Sequence, residues 1–155
     1  MATYKGFKLA SGPENIISLP EADSQTFYKW APVGLSSGQI VALSDAAEAD
    51  IFAIALRDSN NDTNNDDCDV MVVTPEQRWR ANLKAGATAD TPADIDCGAG
   101  YKLDLTSGDW TVDGDTAATE GKGFVIESYD STQADVDGGE VFGRFGRLAC
   151  LGVEG

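Results

Sequence analysis

The chain has 155 residues, 42% of them hydrophobic, with a mean hydropathy of −0.22, which suits one compact domain with its own core and excludes a disordered chain. Eleven Lys and Arg stand against 26 Asp and Glu, a net charge of −15 with no histidine. The acid is spread evenly, twelve acidic against five basic residues in 1–78 and fourteen against six in 79–155. Such a surface repels phosphate backbones and anionic bilayers, so neither a nucleic acid nor a membrane is expected as partner.

Residues 1–24 read as an irregular N-terminal arm, because Pro13 and Pro20 interrupt it and Pro32 follows. The arm lacks the apolar centre of a signal peptide and no run has the length of a membrane span, so synthesis in a cytoplasm is expected. From residue 25 to 155 the chain reads as one domain of short strands. "GLSSGQIVALS" carries a Ser-Gly turn that feeds Ile40, Val41 and Leu43. "DIFAIAL" and "DVMVV" are short apolar runs with β-branched members, the pattern of strands buried on both sides; a helix over 44–58 capped by Ser44 competes with the first of them.

"RWRANLK" places Trp79, Ala81 and Leu83 on one face and Arg78, Arg80, Asn82 and Lys84 on the other, a half-buried strand. "YKLDLTSGDWTVDGD" alternates twice around Ser107-Gly108-Asp109 and reads as a β-hairpin. "GFVIESY" and "GEVFGRFGRL" add two strands, the second with Gly143 and Gly146 where a bulge or a close backbone approach belongs. Turn signals recur at the spacing of a small barrel or sandwich. The expected fold is all-β: a single small β-barrel or β-sandwich, with Trp79, Trp110 and Phe124 in its core and Trp30 either core or contact.

Three motifs bear on chemistry. Cys68, Cys97 and Cys150 are odd in number and lack metal-type spacing, so they read as reduced, partly buried thiols. Asp58, Asn60, Asp62, Asn64, Asp66 and Asp69 fall on the oxygen positions of a calcium loop. Thr63 stands where glycine should permit the sharp turn, and Asp69 is short for a bidentate ligand, so the stretch reads as a mobile acidic hairpin loop, with a cation site as the alternative. Without histidine, and with no Ser or Cys in a nucleophile context, catalysis lacks its usual base. Asp94 and Asp96, or Asp113 and Asp115, read as turn residues, and "GAGYKL" lacks the Lys-Ser/Thr of a phosphate loop. Neither an enzyme nor a cofactor or metal is expected.

The cations cluster. Lys5 and Lys8, then Arg78, Arg80 and Lys84, then Arg144 and Arg147 occupy three windows free of acid. Local pairing with acidic neighbours is one reading; convergence on one face that docks an acidic partner is the other.

From Phe27 to Val73 the chain carries "GLSSGQI", an Ala/Asp-rich stretch, "IFAIAL", a polar loop and "DVMVV"; "TPEQRWRAN", "GYKLDLTSGDWTVD" and "VFGRF" follow. This order resembles the small capsid decoration, or cement, proteins of tailed bacteriophages. Phe52-Ala53 departs from it, since a glycine is expected before the Ile-Ala pair. The resemblance implies a compact β-barrel or sandwich on the outer surface of an icosahedral head, near three-fold or quasi-three-fold positions, bridging copies of the major capsid protein. It also implies a homotrimer, a location on the virion and no catalytic residues. Tyr4, Lys5, Phe7, Lys8, Arg144 and Arg147 are then the candidates for capsid or subunit contact. Two rival readings are a soluble carbohydrate- or calcium-binding β module of a virion, using the Asp58–Asp69 loop, and an acidic nucleic-acid mimic.

Overall fold

Alternation of apolar and polar side chains lets each strand bury one face, and here two sheets bury theirs against each other. The computed structural model describes residues 3–150. Its strands are β1 (Lys8–Ser11), β2 (Ile16–Pro20), β3 (Pro32–Ser36), β4 (Gln39–Ala42), β5 (Ala53–Ala55), β6 (Asp67–Val72), β7 (Arg78–Asn82), β8 (Gly100–Thr106), β9 (Asp109–Ala117), β10 (Phe124–Ser128) and β11 (Glu140–Phe145). One sheet has the order β1-β7-β11-β10-β8-β9 and the other β2-β6-β5-β3-β4, with every named pairing antiparallel. The protein is all-β, and of the two expected architectures it is the sandwich.

Neither sheet closes into a barrel, yet both curl. A single bridge, Leu83 to Val112, draws β9 back toward the end of β7, with Lys84 N–H donating to Val112 O at 2.9 Å. In the second sheet Glu21 bridges Ile40, and Ala22 N–H donates to Ile40 O at 2.9 Å. Edge strands are thereby partly covered at one end, which limits unwanted pairing.

Two hairpins follow from turn chemistry. Ser37-Gly38 joins β3 to β4 and Ser107-Gly108 joins β8 to β9, and all four residues have positive φ, as a type I′ turn demands. Between Ser44 and Asp58 there is no helix: Ala46 and Asp50 sit at φ 62° and 61°, and only Ala53–Ala55 is regular, as a strand buried on both faces. Tertiary burial of those apolar residues between β3 and β6 overrides the helical competitor.

The segment expected to be an irregular arm is instead built into both sheets. β1 pairs with β7 and β2 with β6, so residues 8–20 cross from one layer to the other. Phe7 is fully buried, with its ring 5.3 Å from Phe124 and 5.1 Å from Phe145, which also meets Trp79 edge-on at 5.9 Å. The buried Gln77 amide locks the crossing, donating to Pro13 O and Val72 O, each at 2.9 Å, while accepting from Thr74 N–H at 2.7 Å. Trp79, Trp110 and Phe124 lie in the core as expected.

Gly143 shows why the last strand needs its glycines. A Cβ there would sit 2.1 Å from Val125 O, and one on Gly146 would sit 2.3 Å from Gly121 O. Replacement Gly143→Ala should therefore cost about 1–3 kcal/mol through forced displacement of β10, measurable by urea denaturation. A variant as stable as the parent would contradict so close an approach.

Candidate functional site

The outer face of the six-stranded sheet gathers most of the clustered cations. Trp79, Ala81, Val141, Gly143 and Phe145 point inward, so Arg78, Arg80, Asn82, Glu140, Phe142 and Arg144 point outward. The register aligns Lys8 with Arg80, Arg80 with Phe142, and Phe142 with Ser128 in one cross-strand row. Arg78 lies over the Phe142 ring at 5.0 Å and donates to Ser128 Oγ. Two carboxylates share the face: Glu140, 3.2 Å from Arg80 Nε, and Glu127, 3.5 Å from Arg144 Nε. These pairs are about half exposed, so they steady the side chains more than the fold.

Trp30 extends the row. Its indole is half-buried against the core, and its ring has Lys29 Nζ at 4.8 Å and Lys8 Nζ at 5.6 Å. It is thus both core and surface. Its backbone is left-handed, with φ 77°, which lets Trp30 N–H donate to Ala55 O at 2.8 Å while its carbonyl accepts from Phe7 N–H at 2.9 Å. Gly6 is required beneath it, because a Cβ would meet Trp30 O at 2.3 Å. Aromatic rings beside Arg and Lys are the composition of binding hot spots. On a chain of charge −15, this face carries Lys8, Arg78, Arg80 and Arg144, bordered by Lys29, against two carboxylates.

The sequence candidates divide. Lys5 and Lys8 line a cleft of about 170 Å³ with Arg80 and Glu140, so the first two basic windows do meet. Tyr4 borders that cleft, but its ring stacks on Tyr28 at 3.9 Å and covers Gly108; the hydrogen bond with Tyr28 holds its phenol above the ordinary value. Phe7 is not a surface contact, being wholly inside the aromatic cluster. Lys84 turns elsewhere to Asp104 at 3.2 Å, and that hydrogen bond raises its pKa. Arg144 belongs to the face. Arg147 lies beyond the end of β11, in a groove that it shares with Lys122 and Arg144. Lys29 and Lys122 escaped notice in the sequence because neither sits in a basic window.

The Asp/Asn loop is tied down rather than loose. Glu21, buried at 3% exposure, accepts from Arg57 at 2.5 Å and from Asn60 N–H at 3.0 Å. Arg57 also donates to Asp58 O at 2.7 Å and Asp67 O at 2.8 Å, spanning the base of the loop. Asn65 bonds Glu21 O at 2.8 Å and Asp23 Oδ1 at 2.7 Å, and takes the left-handed φ of 56° that Asn tolerates. The would-be ligands are engaged separately: Asp58 by Lys29 N–H, Asp62 by Asn64, Asp66 by Asn60, and Asp69 by Ser18 Oγ. Among the described residues no group of three or more His, Cys, Asp or Glu is placed to hold a metal ion.

Of the carboxylates expected in turns, Asp94 does end a 3-10 turn, Pro92–Asp94, whereas Asp113 and Asp115 lie within β9. Asp115 accepts from Thr88 and Ala89 N–H, each at 2.8 Å, which holds its carboxyl below the ordinary range. Asp113 accepts from Asp115 N–H and Thr116, and Asp94 from Thr91. Cys68 and Cys150 are buried thiols, each pushed up to about 11 by burial, while Cys97 is exposed; all three are free. An apolar cleft of about 400 Å³, lined by Phe27, Tyr28, Leu43, Leu105 and Trp110, opens beside the Tyr4–Tyr28 stack. Among the described residues no helix is long and apolar enough to cross a membrane. The chain matches no family model, no curated protein and no solved structure.

Proposed function

We propose that this protein is an adhesive structural module, a decoration protein of a tailed-phage head, which grips an acidic patch of the major capsid protein through the outer face of its six-stranded sheet. The observation that carries the reading is the concentration of Lys8, Arg78, Arg80 and Arg144 beside Phe142 and Trp30 on an otherwise acidic molecule. Complementary charge steers encounter and fixes register, and Arg beside aromatic rings supplies contact energy. The remaining acidic surface keeps decorated particles from sticking to one another. A lattice that repeats one modest contact many times turns it into firm attachment, and a trimer around a three-fold position would add further avidity.

The double reversal Arg78→Glu/Arg80→Glu tests the reading. Co-sedimentation with purified heads should fall by at least about ten-fold, while thermal melting stays within a few degrees of the parent. Lys84→Glu, whose side chain is turned to Asp104 and away from the Arg78–Phe142 contact, should sediment as the parent does. Equal sedimentation of the double reversal and the parent would rule the docking face out.

A further inference from the structure

A second cationic feature lies beyond the ends of β10 and β11. The register that pairs Val125 with Arg144 and Phe124 with Phe145 runs on past the strands, through Gly146 N–H to Gly123 O and Leu148 N–H to Gly121 O, each at 2.8 Å. These bonds hold the turns that carry Lys122 and Arg147 against each other. Among the described residues neither Lys122 nor Arg147 is in a close ion pair. Glu48 borders the same turn: its two oxygens accept from Thr119 N–H at 2.8 Å and Thr119 Oγ1 at 3.0 Å, and those bonds, with the charges of Lys102 and Lys122, hold its carboxyl below the ordinary range.

Lys122, Arg144 and Arg147 line one groove of about 460 Å³, with Glu120 its only acidic member and Gly98 and Gly121 among its walls. The volume exceeds that of a single oxyanion and lies in the range of small-ligand sites. Two guanidinium side chains, that of Arg144 also 3.5 Å from Glu127, and one ammonium side chain line this concave surface, a set that matches a ligand with several anionic oxygens.

We propose that this groove binds a compact polyanion carrying two or more phosphate or carboxylate groups, held by the three cations that line it. Arg144 and Arg147 would each hold one group and Lys122 would act as a point charge between them. Arg144 is shared with the docking face, whereas Lys122 and Arg147 lie outside the Lys8–Arg80–Phe142 row, so substitutions at those two separate this proposal from the docking reading.

The test is calorimetric titration of the whole protein at low ionic strength, with tripolyphosphate in one arm and citrate in the other. Saturable one-to-one binding in either arm is expected, with thermal stabilisation that grows with ligand concentration. Binding of tripolyphosphate alone identifies a phosphorylated ligand; binding of citrate identifies carboxylates. Lys122→Glu/Arg147→Glu should weaken the interaction at least about ten-fold, and Arg147→Gln serves in its place should the double variant not fold. Absence of saturable binding in both arms, or binding that these substitutions leave unchanged, would overturn the proposal.

Discussion

Phe7→Ala is expected to lose about 3–5 kcal/mol of stability, the cost of emptying an aromatic site in a packed core. The side chain is wholly buried and touches Phe124 and Phe145, so its removal leaves a void between the N-terminal segment and β10–β11. The surrounding backbone has little freedom to collapse into that void. Gly6 is already pressed against Trp30, and Phe7 N–H is committed to Trp30 O. Urea denaturation measures the loss. A change below about 1 kcal/mol would show that residues 3–7 are an appendage rather than core. Any loss of docking by this variant should then track its loss of folded protein.

Arg57→Met is the second large effect, and the asymmetry of the ion pair sets its size. The Glu21 side chain is 4% exposed and that of Arg57 30%, so removing the arginine strands the buried partner. Full burial of both partners would put the cost at about 3–5 kcal/mol; solvent at Arg57 reduces it to about 2–3 kcal/mol. The reciprocal change Glu21→Gln should cost less, since Arg57 can turn to water and keep its bonds to Asp58 O and Asp67 O. Because Glu21 and Arg57 hold the base of the 58–67 loop, hydrogen exchange there should quicken in Arg57→Met while the β10–β11 ladder stays protected. Equal exchange in both regions would mean that the loop is anchored by something else.

Period-two patterning made β7, β8, β9 and β11 legible, because each buries one face and leaves the other wet. The two Ser-Gly turns were legible for a different reason: positive φ at both positions is a local demand that sequence records. The N-terminal strands were not. Lys8–Ser11 alternates weakly, and its partner Arg78–Trp79 lies far along the chain, so only tertiary pairing makes it a strand. Phe7 looked like an exposed anchor because Phe124 and Phe145, which enclose it, are remote in sequence.

The same distance hid half of the candidate sites. Arg78 and Arg80 could be read as one wet face, but nothing local says that Lys8 and Arg144 join them across three strands. Lys122 and Arg147 share a groove only through the turns held together beyond β10 and β11; the one local signal is that both cations flank glycines at strand ends, in Gly121-Lys122-Gly123 and Gly146-Arg147. The Asp/Asn stretch is the hairpin loop that the sequence suggested, but its anchoring was not legible, because its geometry is decided by Glu21, a residue outside it.

Zero-length carbodiimide cross-linking of the protein on assembled heads, read by mass spectrometry, places the contact most directly. Amide links from Lys8 and Lys29 to coat-protein carboxylates are expected, because these two lysines flank Trp30 at the edge of the cationic sheet face. Links confined to Lys84 or Lys102, or heads from which the protein is absent, would contradict a shell-gripping role for that face.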